Sequence, residues 1–369
     1  MIDYARWLYQ WFRGEILAIP GRVIALIFVL TLFLFPLITT QPYILRILIM
    51  AGLFSIYAAS WDVLGGFTGQ VNLGHSLFFG VAAYAAALLN LRLSLPPYLT
   101  IPLGGVFAVG AGLIIGLPAL RVRGFYLSLV TLAFPIILTG IVFIFPGFTG
   151  GELGIYGVES ISESRVLDYY VVLLVMLICL TLMYKFTDAK SKIIRTGLIL
   201  HAIREDEISA RMSGINTTRY KLLAFCVSGF FAGIAGGIYA HFLKIAGPSS
   251  LDLFFSFQAI LWSIFGGMGT IYGAVVGVFI LYPVLELSRL QPVLEEIRFI
   301  IFGLILILTL FFMPEGLSVW ILDKIEIVCP RCKIKNVFTR KHCRACRAPI
   351  SRKRSDPIQK EGDIDDIRL

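Results

Sequence analysis

Ten apolar runs, most of them near twenty residues long, fill the chain between residues 23 and 313. They lie at about 23–39, 43–64, 76–90, 97–120, 124–145, 168–186, 222–245, 253–268, 271–288 and 297–313. A helix needs about 20 mostly apolar residues to cross a bilayer. The pattern therefore reads as an all-α polytopic membrane protein with about 8–10 transmembrane helices. The third and eighth runs are short and admit a re-entrant reading. Charge placement agrees. Of 32 Lys/Arg and 23 Asp/Glu, 13 and 7 fall in residues 323–369, so the rest of the chain is only about 11% charged, against roughly 25% in soluble domains. Such a chain lacks the polar residues to cover a water-facing surface. Ordinary soluble enzymes, disordered proteins and secreted disulfide scaffolds are excluded.

Charge between the runs sets an expected topology. The loop 187–221 carries Lys190, Lys192, Arg195, Arg204, Arg211, Arg219 and Lys221, and Arg121 and Arg123 flank another turn. The loop 146–167 is acidic, with Glu152, Glu159 and Glu163 against Arg165. Alternation through ten spans puts both basic loops, the N-terminus and the tail on one side, which the positive-inside rule makes cytoplasmic. No small-residue cleavage site follows the first apolar stretch, so residues 1–22 do not read as a removed signal. Trp7 and Trp11, four apart, suit a short interfacial helix.

Glycine interrupts two of the runs. One cluster is Gly65, Gly66, Gly69 and Gly74 with Gln70, Asn72 and His75 among them; the other is Gly266, Gly267, Gly269 and Gly273. Non-helical backbone at membrane depth persists only inside protein or beside a watery cavity, and broken segments in corresponding halves point to internal pseudo-repeats and a substrate path. The candidate path residues are Gly69, Gln70, Asn72, Gly74, His75, Gly266, Gly267 and Gly269. The competing reading is close helix packing through small residues, which Gly229, Gly233 and Gly237 fit well. A lone His75 is more often a satisfied structural histidine than a ligand.

Charges inside the spans include Arg46, Asp62, Lys244 and Glu286. All four fall near predicted ends, where snorkelling accounts for them, and no ionisable relay of the kind a proton-driven carrier needs crosses the middle. In the loop, residues 198–213 read as one amphipathic helix. Ile199, Ile203 and Ala210 share a face, with Ile208 and Met212 beside them and Gly214 as its C-terminal stop. Asn216 or Thr217 caps the next helix. Such a helix either lies in the interface or docks into a groove on a soluble partner.

These motifs resemble the branched-chain amino-acid ABC transporter permeases of the LivM type. The resemblance rests on Gly65-x3-Gly69-Gln70-x-Asn72-Leu73-Gly74-His75, on Leu120-Arg121-x-Arg123-Gly124-x-Tyr126 with Val130 to Phe134, and on Thr149-Gly150-Gly151-x-x-Gly154. It rests most on Ala202 to Glu207, continued through Gly214-Ile215-Asn216 to Tyr220–Phe225, with Met313 to Leu317 completing it. It covers roughly residues 40–320. It implies a permease subunit translocating Leu, Ile or Val, a second homologous permease, two ABC ATPase subunits and an extracytoplasmic substrate-binding protein. It also implies that helix 198–213 is the coupling helix, with Arg204, Glu205, Asp206, Glu207, Ala210 and Gly214 as coupling residues. The importer loop motif is degenerate here, as Ile208-Ser209-Ala210-x3-Gly214. Urea and short amides are alternative cargoes within the family. An ATP-independent channel and a membrane-anchored zinc-ribbon interaction protein are alternatives from other classes.

The 369 residues contain no Gly-Lys dipeptide, hence no phosphate loop, and this chain is expected to bind no ATP. No catalytic constellation is visible either. In the tail, Cys329, Cys332, Cys343 and Cys346 form a CxxC-x10-CxxC pattern. Two such knuckles complete a tetrahedral thiolate site for a structural Zn2+, which lets so short a segment fold. Cys179 and Cys226 read as packing residues. From Lys324 to Arg354 there are 11 Lys/Arg and Glu326 as the single acid. Anionic lipid and the ATPase fit that surface, and nucleic acid is disfavoured. The expected organisation is an interfacial segment 1–22, a transmembrane permease domain 23–317, a zinc ribbon 324–350 and a charged, disordered end 351–369.

Overall fold

The computed structural model describes residues 20–119, 125–189, 191, 195–329, 335–337 and 346. The elements in chain order are α1 (Pro20–Ile38), α2 (Pro42–Thr68), α3 (Ser76–Leu93), α4 (Pro97–Ala119), α5 (Phe125–Ile144), the short α6 (Pro146–Thr149), β1 (Ile155–Tyr156) and α7 (Arg165–Thr187). Then come α8 (Thr196–Glu205), α9 (Glu207–Met212), α10 (Thr217–Leu243), β2 (Ile245–Ala246), a 3-10 turn (Pro248–Leu251), α11 (Leu253–Gly266), α12 (Ile271–Ser288), α13 (Pro292–Phe312), α14 (Leu317–Ile325), β3 (Glu326–Val328) and β4 (Lys335–Val337). Contacts divide the chain into Phe33–Trp320 and a second unit made of Met1–Leu32 with Ile321–Leu369.

Among the described residues eight helices are long and apolar enough to cross a membrane, or nine if the bent pair Ile300–Phe312 with Leu317–Ile325 is one broken span. The run expected at 76–90 extends to an 18-residue helix. The run expected at 253–268 stops at Gly266 after 14 residues, about 21 Å at 1.5 Å per residue, too short for a hydrocarbon core of about 30 Å.

The long helix α2 is the axis of the larger unit. Pro42 opens it, where a missing N–H costs nothing. It is buried along nearly its whole length, as an all-round apolar helix must be. Helices α7, α10, α11 and α12 pack around it, and α3 packs against α10 and α4. Between membrane helices there is no hydrophobic gain, so close approach and hydrogen bonds decide packing. Gly229 and Gly233 of α10 lie against Phe78 and Gly105, as the packing reading expects. Ser228 Oγ donates to Ser60 O at 2.6 Å and Ser263 Oγ to Ala58 O at 3.0 Å, each contributing about 0.6 kcal/mol. Phe54 anchors an aromatic cluster, its ring 5.0 Å from Trp262 and 5.2 Å from Tyr282.

The two ends of this unit differ. At one end β1 pairs antiparallel with β2, Ile155 opposite Ala246. There Glu159 N donates to Asn90 Oδ1 at 2.9 Å, and His241 Nδ1 lies 2.7 Å from Glu159 O. At the other end lie α8, α9 and both glycine clusters. The acidic and basic loops thus fall at opposite ends, as alternation requires. Arg121, Arg123, Lys190 and Lys192 lie outside the described residues.

In the smaller unit the Gly21 N–H at the start of α1 donates to Glu326 Oε1 at 3.1 Å, a carboxylate at a helix N-terminus. Strands β3 and β4 form a hairpin with Val328 opposite Lys335. The interfacial segment expected at 1–22 lies outside the described residues up to residue 19, and α1 begins at Pro20. The end 351–369 lies outside them entirely.

Candidate translocation and coupling site

Helix α2 does not break at Gly65; it runs on to Thr68. Gly69 stops it at φ 70°, a left-handed position that favours glycine. Leu64 O accepts from the N–H groups of Gly69 and Gln70. The chain then climbs back along α2. Trp61 Nε1 donates to Asn72 O at 2.8 Å, and His75 Nε2 lies 2.9 Å from Ser60 Oγ. Side chains satisfy this extended backbone. Asn72 Oδ1 accepts from Gly74 N, Thr131 Oγ1 from Leu73 N, and Val71 O accepts from Ser128 Oγ. Unpaired backbone at this depth would cost several kcal/mol per group. Gly74 is required by space, because a Cβ there would lie 1.9 Å from Thr131 O.

Among the eight candidate path residues, the packing reading accounts for Gly74 and Gly266. Gly74 abuts α5. The fully buried His75 ring lies 4.8 Å from Tyr57 and 5.6 Å from Phe78. A Cβ on Gly266 would lie 1.8 Å from Gly273 O. His75 Nδ1, like the amide nitrogens of Gln70 and Asn72, is buried without a partner. Gln70 is 5% exposed with neither amide atom bonded, and Asn72 Nδ2 is likewise without a partner. Unsatisfied buried amides are costly and stand out against the paired backbone around them.

The second break is Gly267–Thr270. Gly267 and Gly269 have φ of 125° and 80°, and Thr270 Oγ1 donates to Gly267 O at 2.6 Å. The turn of the Met313–Leu317 motif stands on this break. Gly316 passes so close that its Cβ would lie 2.3 Å from Gly267 Cα, and Ser318 Oγ donates to Gly266 O.

The two breaks meet. Gly269 N donates to Asp62 Oδ1 at 2.8 Å, and a Cβ on Gly66 would lie 2.5 Å from Gly269 N. Arg204, the penultimate residue of α8, reaches this point and donates through Nη1 to Gly66 O. A Cβ on Gly269 would lie 2.7 Å from the same Nη1. Two expectations change here. Asp62 does not snorkel; it is 0% exposed, six residues short of the end of a helix long enough to overrun the hydrocarbon. Arg204, though exposed overall, turns its guanidinium onto Gly66 and Gly269.

The single helix expected over 198–213 is two helices. Asp206 is extended, at φ −153° and ψ 107°, and caps α9 by accepting from Ile208 N at 2.8 Å, Ser209 N at 3.2 Å and Ser209 Oγ at 2.6 Å. The bonds from Ser209 and Ile208 hold its carboxyl below the usual range. An Asp followed by Glu-Ile-Ser is a recognisable N-cap signal that the hydrophobic pattern overrode. Glu207 is not a free docking charge. It pairs with Arg211 and Lys221, both at 2.6 Å, and accepts from Thr217 Oγ1 at 3.1 Å. Burial alone would raise its carboxyl, but Lys221, Thr217 and Arg211 outweigh that and hold it below its ordinary value. Ala210 is buried, Glu205 is exposed and Gly214 is left-handed at φ 82°. Asn216 caps α10 through Arg219 N at 3.1 Å. Ile208 and Met212, expected beside the buried face, point outward at 68% and 86% exposure.

In the tail, Cys329 and Cys346 have their Sγ atoms 3.6 Å apart, beyond a disulfide bond. Cys329 directly follows β3. Cys332 and Cys343 lie outside the described residues, and no group of three metal-binding side chains occurs among the described ones.

A bundle of spanning helices with two broken segments meeting under an extramembranous loop defines a multi-pass membrane protein of the transporter kind. The family model described as branched-chain amino acid transport system / permease component matches residues 43–310, and the chain belongs to that family. It is similar to the high-affinity branched-chain amino acid transport system permease protein LivM of Salmonella typhimurium, at 29% identity over 315 residues, 78% of this chain and 71% of the relative. The Escherichia coli LivM protein is 28% identical over 312 residues, 77% and 70% of the two chains. A probable branched-chain amino acid transport permease protein, LivH, of Methanocaldococcus jannaschii is 28% identical over 238 residues, 58% and 70%. The family match ends before the cysteine tail.

Proposed function

We propose that this chain is the permease subunit of an ABC importer that moves branched-chain amino acids across the cytoplasmic membrane. ATP is hydrolysed on two separate subunits, a second homologous permease completes the pore, and a binding protein delivers substrate from outside. The observation that carries the reading is the meeting of the two helix breaks beneath the loop helices, in a chain matched by the family over 43–310. The excess of Lys/Arg in 187–221 and in the tail favours a cytoplasmic position for that end and for both termini. The outward pair Ile208 and Met212, one turn apart on α9, is the apolar knob that a groove on the ATPase receives. Gln70 Nε2 and Asn72 Nδ2, buried without partners, are the donors held for the substrate carboxylate, flanked by Gly69, Gly267 and Gly269.

The tail carries a second proposal. Cys329 and Cys346 supply two thiolates to a structural Zn2+, with Cys332 and Cys343 as the other two. Thiolates on one tetrahedral zinc at about 2.3 Å stand roughly 3.8 Å apart, close to the observed 3.6 Å. When bound, the metal cross-links the tail and contributes folding energy to it.

Reconstitution into proteoliposomes with the second permease, the ATPases and the binding protein tests the transport reading. ATP-dependent uptake of labelled leucine, isoleucine and valine is expected. Uptake of urea or short amides in their place would overturn the cargo, and uptake by this chain alone without ATP would overturn the class.

A further inference from the structure

We infer that Arg204 is a positioning residue that latches the two helix breaks together, and that its withdrawal with the loop opens the path. The inference rests on the importer reading. Three observations carry it. Arg204 is anchored on the break after α2, donating to Gly66 O and packing its Cγ where a Cβ on Gly69 would lie 3.7 Å away. Its Nη1 also lies against Gly269, whose N–H is held by the Asp62 carboxylate. One side chain thus touches Gly66 on α2 and Gly269 on the second break, and bridges the two.

The loop is built to move this side chain as a unit. Asp206 ties the end of α8 to the first turn of α9. Glu207 ties α9 to α10 through Thr217 and Lys221. A displacement of the outward knob Ile208/Met212 is therefore delivered to Arg204, two residues before the bend, instead of being absorbed by a slack loop. Pulling the guanidinium away removes this bridge and leaves the Asp62–Gly269 bond to hold the contact alone, so the break 267–270 separates from α2 and admits water. That separation uncovers Gln70, which follows Gly69 directly. The chemistry asks for arginine. Its planar guanidinium donates to Gly66 O while packing against Gly269, which a lysine ammonium cannot do in a fixed geometry.

Hydrogen exchange of residues 267–270, measured on the full chain in nanodiscs, reads the latch without any transport. Arg204→Ala and Arg204→Lys should each speed exchange there at least tenfold, with α3, α4 and α10 unchanged; wild-type rates in Arg204→Ala would overturn the latch. In the reconstituted complex, ATP binding should speed exchange at 267–270 in the wild type. Arg204→Ala should lose this nucleotide dependence and spend several-fold more ATP per leucine moved. The double variant Arg204→Ala/Asp62→Asn separates a latch from mere charge balance. A latch stays uncoupled when the buried carboxyl is replaced by an amide. Recovery of the wild-type ATP-to-leucine ratio in the double variant would overturn the proposal. Failure of the leucine reading alone would appear as absent leucine uptake in the wild type with the exchange results intact.

Discussion

Asp62 Oδ1 accepts the Gly269 N–H at 2.8 Å across 207 residues of sequence, and Gly66, one helical turn beyond Asp62, leaves the space that lets the two segments touch. Gly66 is helical, so alanine there gains about 1 kcal/mol of intrinsic helix stability. A Cβ at this position would lie 2.1 Å from Asp62 Oδ1 and 2.5 Å from Gly269 N, an overpacking that costs about 1–3 kcal/mol. The steric term wins, and Gly66→Ala should destabilise the detergent-purified chain. Gly110 of α4 is the control. A Cβ there meets nothing within 4 Å, so Gly110→Ala should be neutral or raise Tm. Equal Tm changes in the two variants would show that Gly66 is not a contact glycine.

The spans were legible because apolar length is a one-dimensional property, and so were the two glycine clusters. Their meeting was not. Asp62 sits in an apolar run near its end, where sequence alone makes snorkelling the simpler account, and only the partner 207 residues away reveals a buried acceptor. The break at Asp206 was hidden for another reason. A heptad-like pattern continues across it from Ile199 to Met212, and a single extended residue does not interrupt such a pattern. The rotation it introduces turned Ile208 and Met212 outward. The neighbours of His75, Ser60 and two aromatic rings, were likewise beyond a linear reading.

Ile208 and Met212 contribute little to the fold of this chain, since both are largely exposed. If each is buried by the ATPase, the pair contributes at least about 3 kcal/mol of apolar transfer, roughly a hundredfold in Kd. Ile208→Ala/Met212→Ala should weaken ATPase binding by that order and leave Tm unchanged. Titration of the purified ATPase onto the nanodisc-held chain measures it. Unchanged affinity would move the docking surface elsewhere.

Glu207 fixes α9 through Lys221, Thr217 and Arg211. Its carboxyl is held below its ordinary value, so the stabilisation is complete above the unfolded pKa of about 4.3 and is lost as pH falls through the folded pKa. A spin label at Met212→Cys reports the motion of α9. At pH 7 Glu207→Gln should increase that motion. The difference should persist as pH falls through the ordinary glutamate range and close below it. A difference that vanishes already near neutral pH would show that another group governs the loop.

The tail should bind one Zn2+ per chain. Cys329 and Cys346 are within 3.6 Å at Sγ, and β3 delivers Cys329 to the tip of a hairpin whose second strand is Lys335–Val337. Metal analysis of the full chain, purified without chelator, should give one zinc. Cobalt substitution should give the absorption of a tetrahedral thiolate site. Cys343→Ser should lose the metal and loosen residues 326–346 in hydrogen exchange, because binding energy is folding energy in so small a unit. Transport should survive, since the family match stops at residue 310 and every contact of the junction around Asp62, Arg204 and Gly269 lies before residue 321. A chain without zinc would end the ribbon proposal. A correctly assembled Cys343→Ser complex that hydrolyses ATP without transport would make the tail part of the coupling machinery.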